Sequence, residues 1–356
     1  MATARGSEGL PAKEPGARRR RLLLWFLAVP VVVATVVGIG AGAAFWWLQS
    51  SLDGKIDRFE DPFRSIPAAE RPSAPPQATK AVNLLVFGSD SRISAGDPGQ
   101  WEAGAQRTDA IMLVHIAADR SGAYVVSIPR DSWVSVPGHG KAKINAAFSW
   151  GGPALAIRTV ERLTGIKIDH MVVTDFTGFA RITDLLGGVT ITVPKATRLG
   201  NSSQTISAGT HRMDGQAALA YVRERYTLPA GDLDRVKRQQ NWIRAIMRSA
   251  SVSGVQKDPQ RLLGLVDALA ANISTDSGFT IDEMRDLVLS LRNVGTGGAR
   301  YLTAPVSGTG WSPDRRQSIV TLDTAACTGL WAAVAADDVK AWLAAHPGAA
   351  LGGKVR

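Results

Sequence analysis

From Ala81 onward, short apolar runs alternate with amphipathic stretches. "AVNLLVFG" (81–88) is almost wholly apolar and ends in glycine, the pattern of a strand covered on both faces. "AIMLVHIA" (110–117) and "GAYVVSI" (122–128) have the same character and are joined by the turn-like "ADRSG", which predicts a hairpin. "HMVVTDF" (170–176) and "GVTITVP" (188–194) read as two more strands. Between them, "GGPALAIRTVERLTG" brings Leu155, Ile157, Val160 and Leu163 round at nearly helical spacing. The span 280–291 predicts a well-capped helix. Thr280 is its cap, Glu283 stands three residues later, and Ile281, Met284, Leu287, Val288 and Leu291 form one stripe. "ARYLTAPVSGTG" and "QSIVTLD" either return to the sheet or form a small late hairpin. One short helix is expected after Asp337. Together these elements predict an α/β fold, a mixed central β-sheet flanked by helices.

The first fifty residues follow another rule. Between Leu22 and Ser51 there is no charged side chain, and "LLLWFLAVPVVVATVVGIGAGAAFWWL" fills most of that span. A helix crossing a bilayer needs about 20 apolar residues, and this run exceeds that. Arg18 to Arg21 immediately before it mark the cytoplasmic end, while Trp25, Trp46 and Trp47 suit the two interfaces. The apolar stretch is too long for a cleaved signal peptide and lacks a small-residue cleavage site. The chain therefore divides into a basic cytoplasmic tail (1–21), one N-terminal transmembrane helix (22–50) acting as an uncleaved anchor, an extracytoplasmic proline-rich stalk (51–80), a catalytic body (81–340) and a flexible tail (341–356). The localisation expected is a single-pass cell-membrane protein with its body outside.

Charge changes this picture little. The net charge is +10, of which the tail supplies +4, so the body is only mildly basic and does not call for nucleic acid. About twenty cytoplasmic residues leave no room for a DNA-reading fold, and a basic tail there suits anionic lipid headgroups. The single cysteine, Cys327, excludes an internal disulfide and reads as a small buried hydrophobe.

Chemistry gathers at strand ends. Asp90 stands just past the first strand in "VFGSDSR", and "QRTDA" places Arg107 and Asp109 immediately before the next. If those strands are neighbours, both acids meet at one sheet edge and make a hard-oxygen pair suited to Mg²⁺; otherwise they are two solvated loop aspartates. Arg130 and Asp131 follow Pro129 at another strand exit, and Lys141, Lys143 and Asn145 occupy the loop that leads into a helix. The densest stretch is "VRERYTLPAGDLDRVKRQQ" (222–240). Read as a helix from Leu233, it puts Arg235 and Gln239 inside a broad apolar arc that includes Val236, Trp242, Ile243, Ile246 and Met247. Arg238 flanks that arc and Lys237 points away. Charged groups on a packing face need a partner or a cavity, because unpaired burial is costly. Arg223 and Arg225 share a side if that segment is extended. Arg107, Arg130, Arg223, Arg225, Arg235 and Arg238 are thus candidates for one electropositive pocket, since guanidinium groups grip phosphoryl oxygens in a planar, bidentate way. Two readings stand at this point: an internal network of Arg–Asp pairs, or a diphosphate–Mg²⁺ site.

In order along the chain, "NLLVFGSDSR", "RTDAIMLV", "VVSIPRDSWVSVPG", "KINAAFSWGG", "DHMVVTDFTGFARITDLLGGVTITVP", "MDGQAALAYVRER" and "GDLDRVKRQQ" closely resemble the LytR-CpsA-Psr family of membrane-anchored cell-wall glycopolymer transferases. The likeness covers roughly residues 80–245. It implies an α/β domain with an apolar channel for a polyprenyl chain, opening at an arginine-rich mouth. On this likeness Asp90 and Asp109 hold Mg²⁺, with Mn²⁺ as the alternative ion. Arg107, Arg130, Arg223 and Arg225 grip the diphosphate, while Arg235, Arg238 and Gln239 complete or orient that shell. The implied reaction is transfer of a glycopolymer, of teichoic acid or arabinogalactan type, from a polyprenyl-diphosphate carrier to peptidoglycan, leaving a phosphodiester link. The alternatives are a polyprenyl-diphosphate phosphatase and a non-catalytic envelope lipid-binding regulator or scaffold. The alanine- and arginine-rich composition fits an actinobacterial source.

Overall fold

The structure is a computed structural model that describes residues 54–89, 108–199, 205–224, 228, 231–252, 258–291 and 298–352. The expected cytoplasmic tail and transmembrane helix lie outside the described residues. No described helix is long and apolar enough to cross a membrane.

The strands predicted at 81–88, 110–117, 122–128 and 170–176 form the centre of one sheet. In chain order the first elements are β1 (Asp57–Phe59), β2 (Val82–Ser89), β3 (Thr108–Ile116), β4 (Ala123–Ile128), β5 (Trp133–Val136), β6 (Gly140–Lys143) and α1 (Asn145–Thr164). They are followed by β7 (His170–Asp175), α2 (Phe176–Leu185), β8 (Val189–Val193), β9 (Thr197–Arg198), β10 (Thr205–Ile206), β11 (Gly209–Met213), α3 (Gly215–Arg223) and α4 (Asp232–Val252). The remainder comprises α5 (Pro259–Ala270), β12 (Ile273–Asp276), α6 (Ile281–Ser290), β13 (Ala299–Thr303), β14 (Val306–Trp311), β15 (Ser318–Leu322), α7 (Thr324–Ala335) and α8 (Val339–Ala345).

Seven strands make the main sheet, in the order β1-β12-β7-β2-β3-β4-β13. It is mixed: β2 runs parallel to β7 and antiparallel to β3, β3 is antiparallel to β4, and β4 is parallel to β13. Alternation along β2 and β3 sends Leu85, Phe87, Ile111 and Leu113 into a core under α1, α7 and α8. Val86, Ala110 and Met112 face the other core, shared with α2, α3, α4 and β8. Each such aliphatic side chain contributes about 1.5–3 kcal/mol on full burial. The late segment does both things expected of it, since β13 joins the sheet and β14 with β15 forms a separate hairpin. The predicted capping box is present as well. Glu283 Oε2 accepts from the Thr280 amide at 2.8 Å, and Thr280 Oγ1 accepts from the Glu283 amide at 3.2 Å.

Two expected boundaries are corrected. The segment read as a stalk is packed on the body from residue 54 onward. β1 adds to the sheet edge beside β12, Phe59 and Ile66 are buried, and Arg71 reaches Glu161 on α1 at 2.8 Å. Pro62, Pro67, Pro75 and Pro76 sit at the starts of short 3-10 turns, so they shape a close-fitting strap. The tail is also structured from residue 341 to 352, as α8 covers 339–345 and the Leu351 amide donates to Tyr301 O at 2.7 Å, while residues 353–356 lie outside the described residues.

Where α2 and α3 cross, side chains are excluded. A Cβ on Gly215 would stand 2.1 Å from the Ala180 carbonyl oxygen. Gly215→Ala is therefore expected to destabilise the fold by about 1–3 kcal/mol through overpacking, read as a lower midpoint of thermal unfolding. At the far edge of the sheet, Gln240 on α4 is wholly buried. Its Nε2 donates to Ser127 Oγ at 2.7 Å and to Leu302 O at 2.6 Å, which fixes α4 over the seam between β4 and β13.

Candidate active site

The register of β3 and β4 builds the centre of the site. Ile111 faces Ile128, so two residues toward that end of the sheet Asp109 stands opposite Arg130. Their side chains form a close ion pair between Arg130 Nη1 and Asp109 Oδ1. Asp109 is only 9% exposed. A third group arrives from α4, with Arg235 Nη1 3.6 Å from the same carboxylate oxygen. Arg235 is buried too, so one carboxylate is shared by two guanidinium groups. The sequence reading that put Arg235 and Gln239 on the packing face of this helix is correct, and Val236, Trp242 and Ile246 are buried beside them. Met247 departs from that reading: it is 54% exposed.

Arg238 is held differently. Its Nη1 donates to Tyr221 O at 3.2 Å, its Nη2 donates to Thr197 Oγ1 at 3.0 Å, and its guanidinium lies 4.1 Å over the Tyr221 ring. Burial lowers its pKa from the ordinary arginine value. These contacts tie α4 to α3 and β9. Gln239 Oε1 is a buried acceptor that no donor among the described residues reaches, and Thr108 Oγ1 next to Asp109 is another such atom. Buried polar atoms are ordinarily satisfied, so both mark a place where a polar ligand would improve the site.

Arg223 ends α3 and is exposed. It therefore terminates a helix, and the extended geometry expected to align it with Arg225 does not apply at residue 223. Asp90, Arg107 and Arg225 lie outside the described residues. The described chain before Asp90 ends on Ser89, which pairs with Thr108. The assembled part of the expected site is thus Asp109, Arg130, Arg235 and, on the same helix, Arg238 and Gln239.

Two cavities flank Asp131. One, of about 380 Å³, is lined by Arg130, Asp131, Lys143, Asn145, Ser149 and Trp150, with Gln317 at its edge. The other, of about 510 Å³, lies between the start of α4 at Gly231 and Leu233 and the β14–β15 hairpin. Asp131 pairs with Lys143 at 3.0 Å. Of the first cavity's polar and aromatic residues, sequence reasoning singled out Arg130, Asp131, Lys143 and Asn145 but missed Ser149, Trp150 and Gln317. The signal for Trp150 is its place just before Gly-Gly-Pro, where a helix must break and leave an aromatic on the outside.

Among the described residues, no group of three or more His, Cys, Asp or Glu side chains converges to hold a metal. Mg²⁺ needs only one or two carboxylates when substrate phosphates and waters complete its shell. A buried Asp109 at the sheet end, with compensating arginines beside it, fits that requirement as one carboxylate of such a set.

A model described as the LytR_cpsA_psr family matches residues 57–326. The probable cell wall biosynthesis protein LcpB of Corynebacterium glutamicum is 36% identical over 236 residues, covering 64% of this chain and 55% of its own. The polyisoprenyl-teichoic acid–peptidoglycan teichoic acid transferase TagU of Enterococcus faecalis is 29% identical over 273 residues, covering 75% of this chain and 82% of its own. The chain spans about half the length of the first curated relatives that it matches. Among solved structures, a LytR-Csp2A-Psr enzyme from Actinomyces oris shares the fold, with a TM-score of 0.60 and 23% identity over 79% of this chain and 96% of the other.

Proposed function

The chain belongs to the LytR_cpsA_psr family, and from that premise we propose that it is a Mg²⁺-dependent phosphotransferase. It moves a glycopolymer from a polyprenyl-diphosphate carrier to peptidoglycan and leaves a phosphodiester link. The observation that carries this reading is the buried carboxylate shared by Arg130 and Arg235 at the end of the sheet. An enclosed pair of guanidinium groups is suited to a diphosphate, which offers several oxygens in fixed geometry. The relative named as a teichoic acid transferase supports the choice of donor and acceptor.

The reaction is an in-line phosphoryl transfer. The acceptor hydroxyl oxygen bonds to the phosphorus that carries the glycopolymer, the bond from that phosphorus to the bridging oxygen breaks, and polyprenyl phosphate leaves with the bond's electron pair. The hydroxyl proton passes to solvent or to a nearby base. Arg130 and Arg235 hold the phosphoryl oxygens and meet the negative charge that builds in the transition state. Arg107, Arg223 and Arg225 are proposed to extend this grip. Asp109, with Asp90, would hold Mg²⁺, which when bound supplies charge neutralisation at the phosphoryl oxygens. One and two turns beyond Gln239 on the same helix, Trp242 and Ile246 enter the apolar layer under the sheet. That layer is where the polyprenyl tail is proposed to run, with its head at the arginines.

The test is an incubation of the full-length protein in detergent with a labelled polyprenyl-diphosphate glycan, Mg²⁺ and peptidoglycan fragments. A covalent glycan–peptidoglycan adduct with released polyprenyl phosphate is the expected product. Free phosphorylated glycan in the presence of acceptor would make the protein a phosphatase, and binding without turnover would make it a scaffold. For the metal, Asp109→Asn is expected to weaken Mn²⁺ binding, followed by electron paramagnetic resonance, by at least the ~10-fold seen when an outer-shell partner is lost. Unchanged Mn²⁺ affinity would remove Asp109 from the metal site.

A further inference from the structure

Single exposed apolar side chains are ordinary on a protein surface, but a group of them on one element is not. Three of the large apolar side chains exposed among the described residues, Leu185, Leu263 and Leu269, stand on α5 and at the end of α2, which packs on it. A Cβ on Gly264 would lie 3.8 Å from Leu185 Cδ2, so Leu185 continues the surface of α5. Leu265 and Ala268 turn the inner side of α5 toward the core shared with α2, α3 and α4. At about 100° per residue the opposite side carries Leu263 and Val266, with Asp267 beside them. The platform is firmly held. A Cβ on Gly178 of α2 would stand 2.3 Å from Asn272 Cβ, and Asn272 Nδ2 donates to Ala268 O at 2.6 Å.

The chain enters the body at this same corner. β1 pairs in parallel with β12, the strand that follows α5, and Arg58 Nη1 donates to Phe279 O at 2.8 Å. Just before β1, Lys55 Nζ meets Asp267 Oδ1 at 2.8 Å. That pair sets residue 55 against α5 and neutralises the acid on its outward side. Only five peptide units separate Lys55 from Ser50, the last residue of the expected transmembrane helix. Fully extended, they span at most about 18 Å.

We infer that the outward face of α5, with Leu185 beside it, is a second membrane contact, resting at the headgroup–acyl boundary of the bilayer that residues 22–50 are expected to cross. The short tether keeps Lys55, and with it the near side of α5, within reach of that boundary. An apolar helix face sinks only about 5–10 Å to be buried there. Three leucines and a valine would hold a bilayer weakly from free solution. Attached through five residues, the contact becomes intramolecular and gains from a high effective concentration. The same few side chains fall well short of the roughly 800 Å² per partner that a stable protein interface buries, which disfavours a second copy as the occupant. Arg181, exposed one turn before Leu185 on α2, offers a cation to lipid phosphates at the rim. Attachment at two points fixes how the body stands on the membrane, which a single tether does not. The inference rests on residues 22–50 being an anchor and is independent of the proposed transfer.

The test uses the full-length protein reconstituted as single copies in phospholipid nanodiscs. A nitroxide label is introduced through Leu263→Cys or Leu269→Cys, and through Ala325→Cys as a control on α7, which packs on the other face of the sheet. Cys327 does not compete for the label, since it is buried and burial pushes its thiol pKa up to about 11. Electron paramagnetic resonance then compares access of dissolved oxygen, which concentrates in lipid, with access of a water-soluble nickel chelate. Labels at 263 and 269 should be open to oxygen and shielded from nickel, and the label at 325 should show the reverse. Leu263→Asp should abolish the shielding at 269 and leave the midpoint of thermal unfolding unchanged, because that side chain is exposed in the fold. Nickel access at 263 and 269 equal to that at 325 overturns the contact. Shielding that appears only with two copies per disc, together with dipolar broadening between labels, assigns the face to a second copy and overturns it as well. Full-length protein that stays in aqueous buffer outside the discs removes the anchor, and the inference falls with it.

Discussion

Arg130→Ala is expected to lower kcat for glycopolymer transfer by about 10²–10³, the usual cost of removing one preorganised donor from a developing anion. The side chain lies where β4 ends, its position set by strand register and by Pro129 before it, so little rearrangement is available to replace it. Two further variants separate the chemistry from folding. Arg130→Lys keeps the charge but loses the planar fork, so it should recover only part of the rate. Arg130→Ala with Asp109→Asn removes the carboxylate that the single variant leaves without its nearest cation. It should regain stability lost in Arg130→Ala while remaining inactive. Single-turnover transfer and a denaturant melt on each variant provide the two readouts. A kcat within a few-fold of wild type in Arg130→Ala would take Arg130 out of the catalytic shell.

The same residue illustrates how much of the site could be read before the fold was known. The strands around it are continuous apolar runs, and the hairpin that joins β3 to β4 follows from pattern alone. Once β3 and β4 pair, Asp109 and Arg130 must face each other, because their positions are fixed by the turn at 118–122. Arg235 and Gln239 were legible for another reason. A helical wheel put polar groups on an apolar face, and such groups need partners. The helical wheel could place Arg238 on a flank but could not find its anchors, Tyr221 and Thr197, which come from elements whose approach depends on tertiary packing. Arg223 and Arg225 share a side only if their segment is extended, and "GQAALAYVR" continues as helix to Arg223. The proline-rich segment was misread because composition reports stiffness and polarity. It does not report that Phe59, Ile66 and Arg71 each have a receiving site on the body.

That receiving site for Arg71 yields the largest stability change expected outside the active site. Glu161 on α1 has a side chain that is 1% exposed. It accepts from Arg71 Nη2 at 2.8 Å, from Arg71 Nε at 3.2 Å and from the Ile168 amide at 2.9 Å. Arg71 in turn lies 4.4 Å over the Phe63 ring. Arg71→Ala would leave a buried carboxylate with one amide donor and no countercharge, a change that costs about 3–5 kcal/mol. Against a typical total of about 5–15 kcal/mol, this is a large part of the stability of the fold. It should appear as a lower midpoint in urea with an unchanged slope. Arg71→Met combined with Glu161→Gln should recover most of the loss, because no isolated charge is then buried. The pair lies away from Asp109 and Arg130, so transfer per folded molecule should match wild type at temperatures where the variant remains native. A full-strength melt in Arg71→Ala would mean that the strap over residues 54–80 is held by its apolar contacts alone. The ion pair would then be an adornment of a segment already fixed by Phe59 and Ile66.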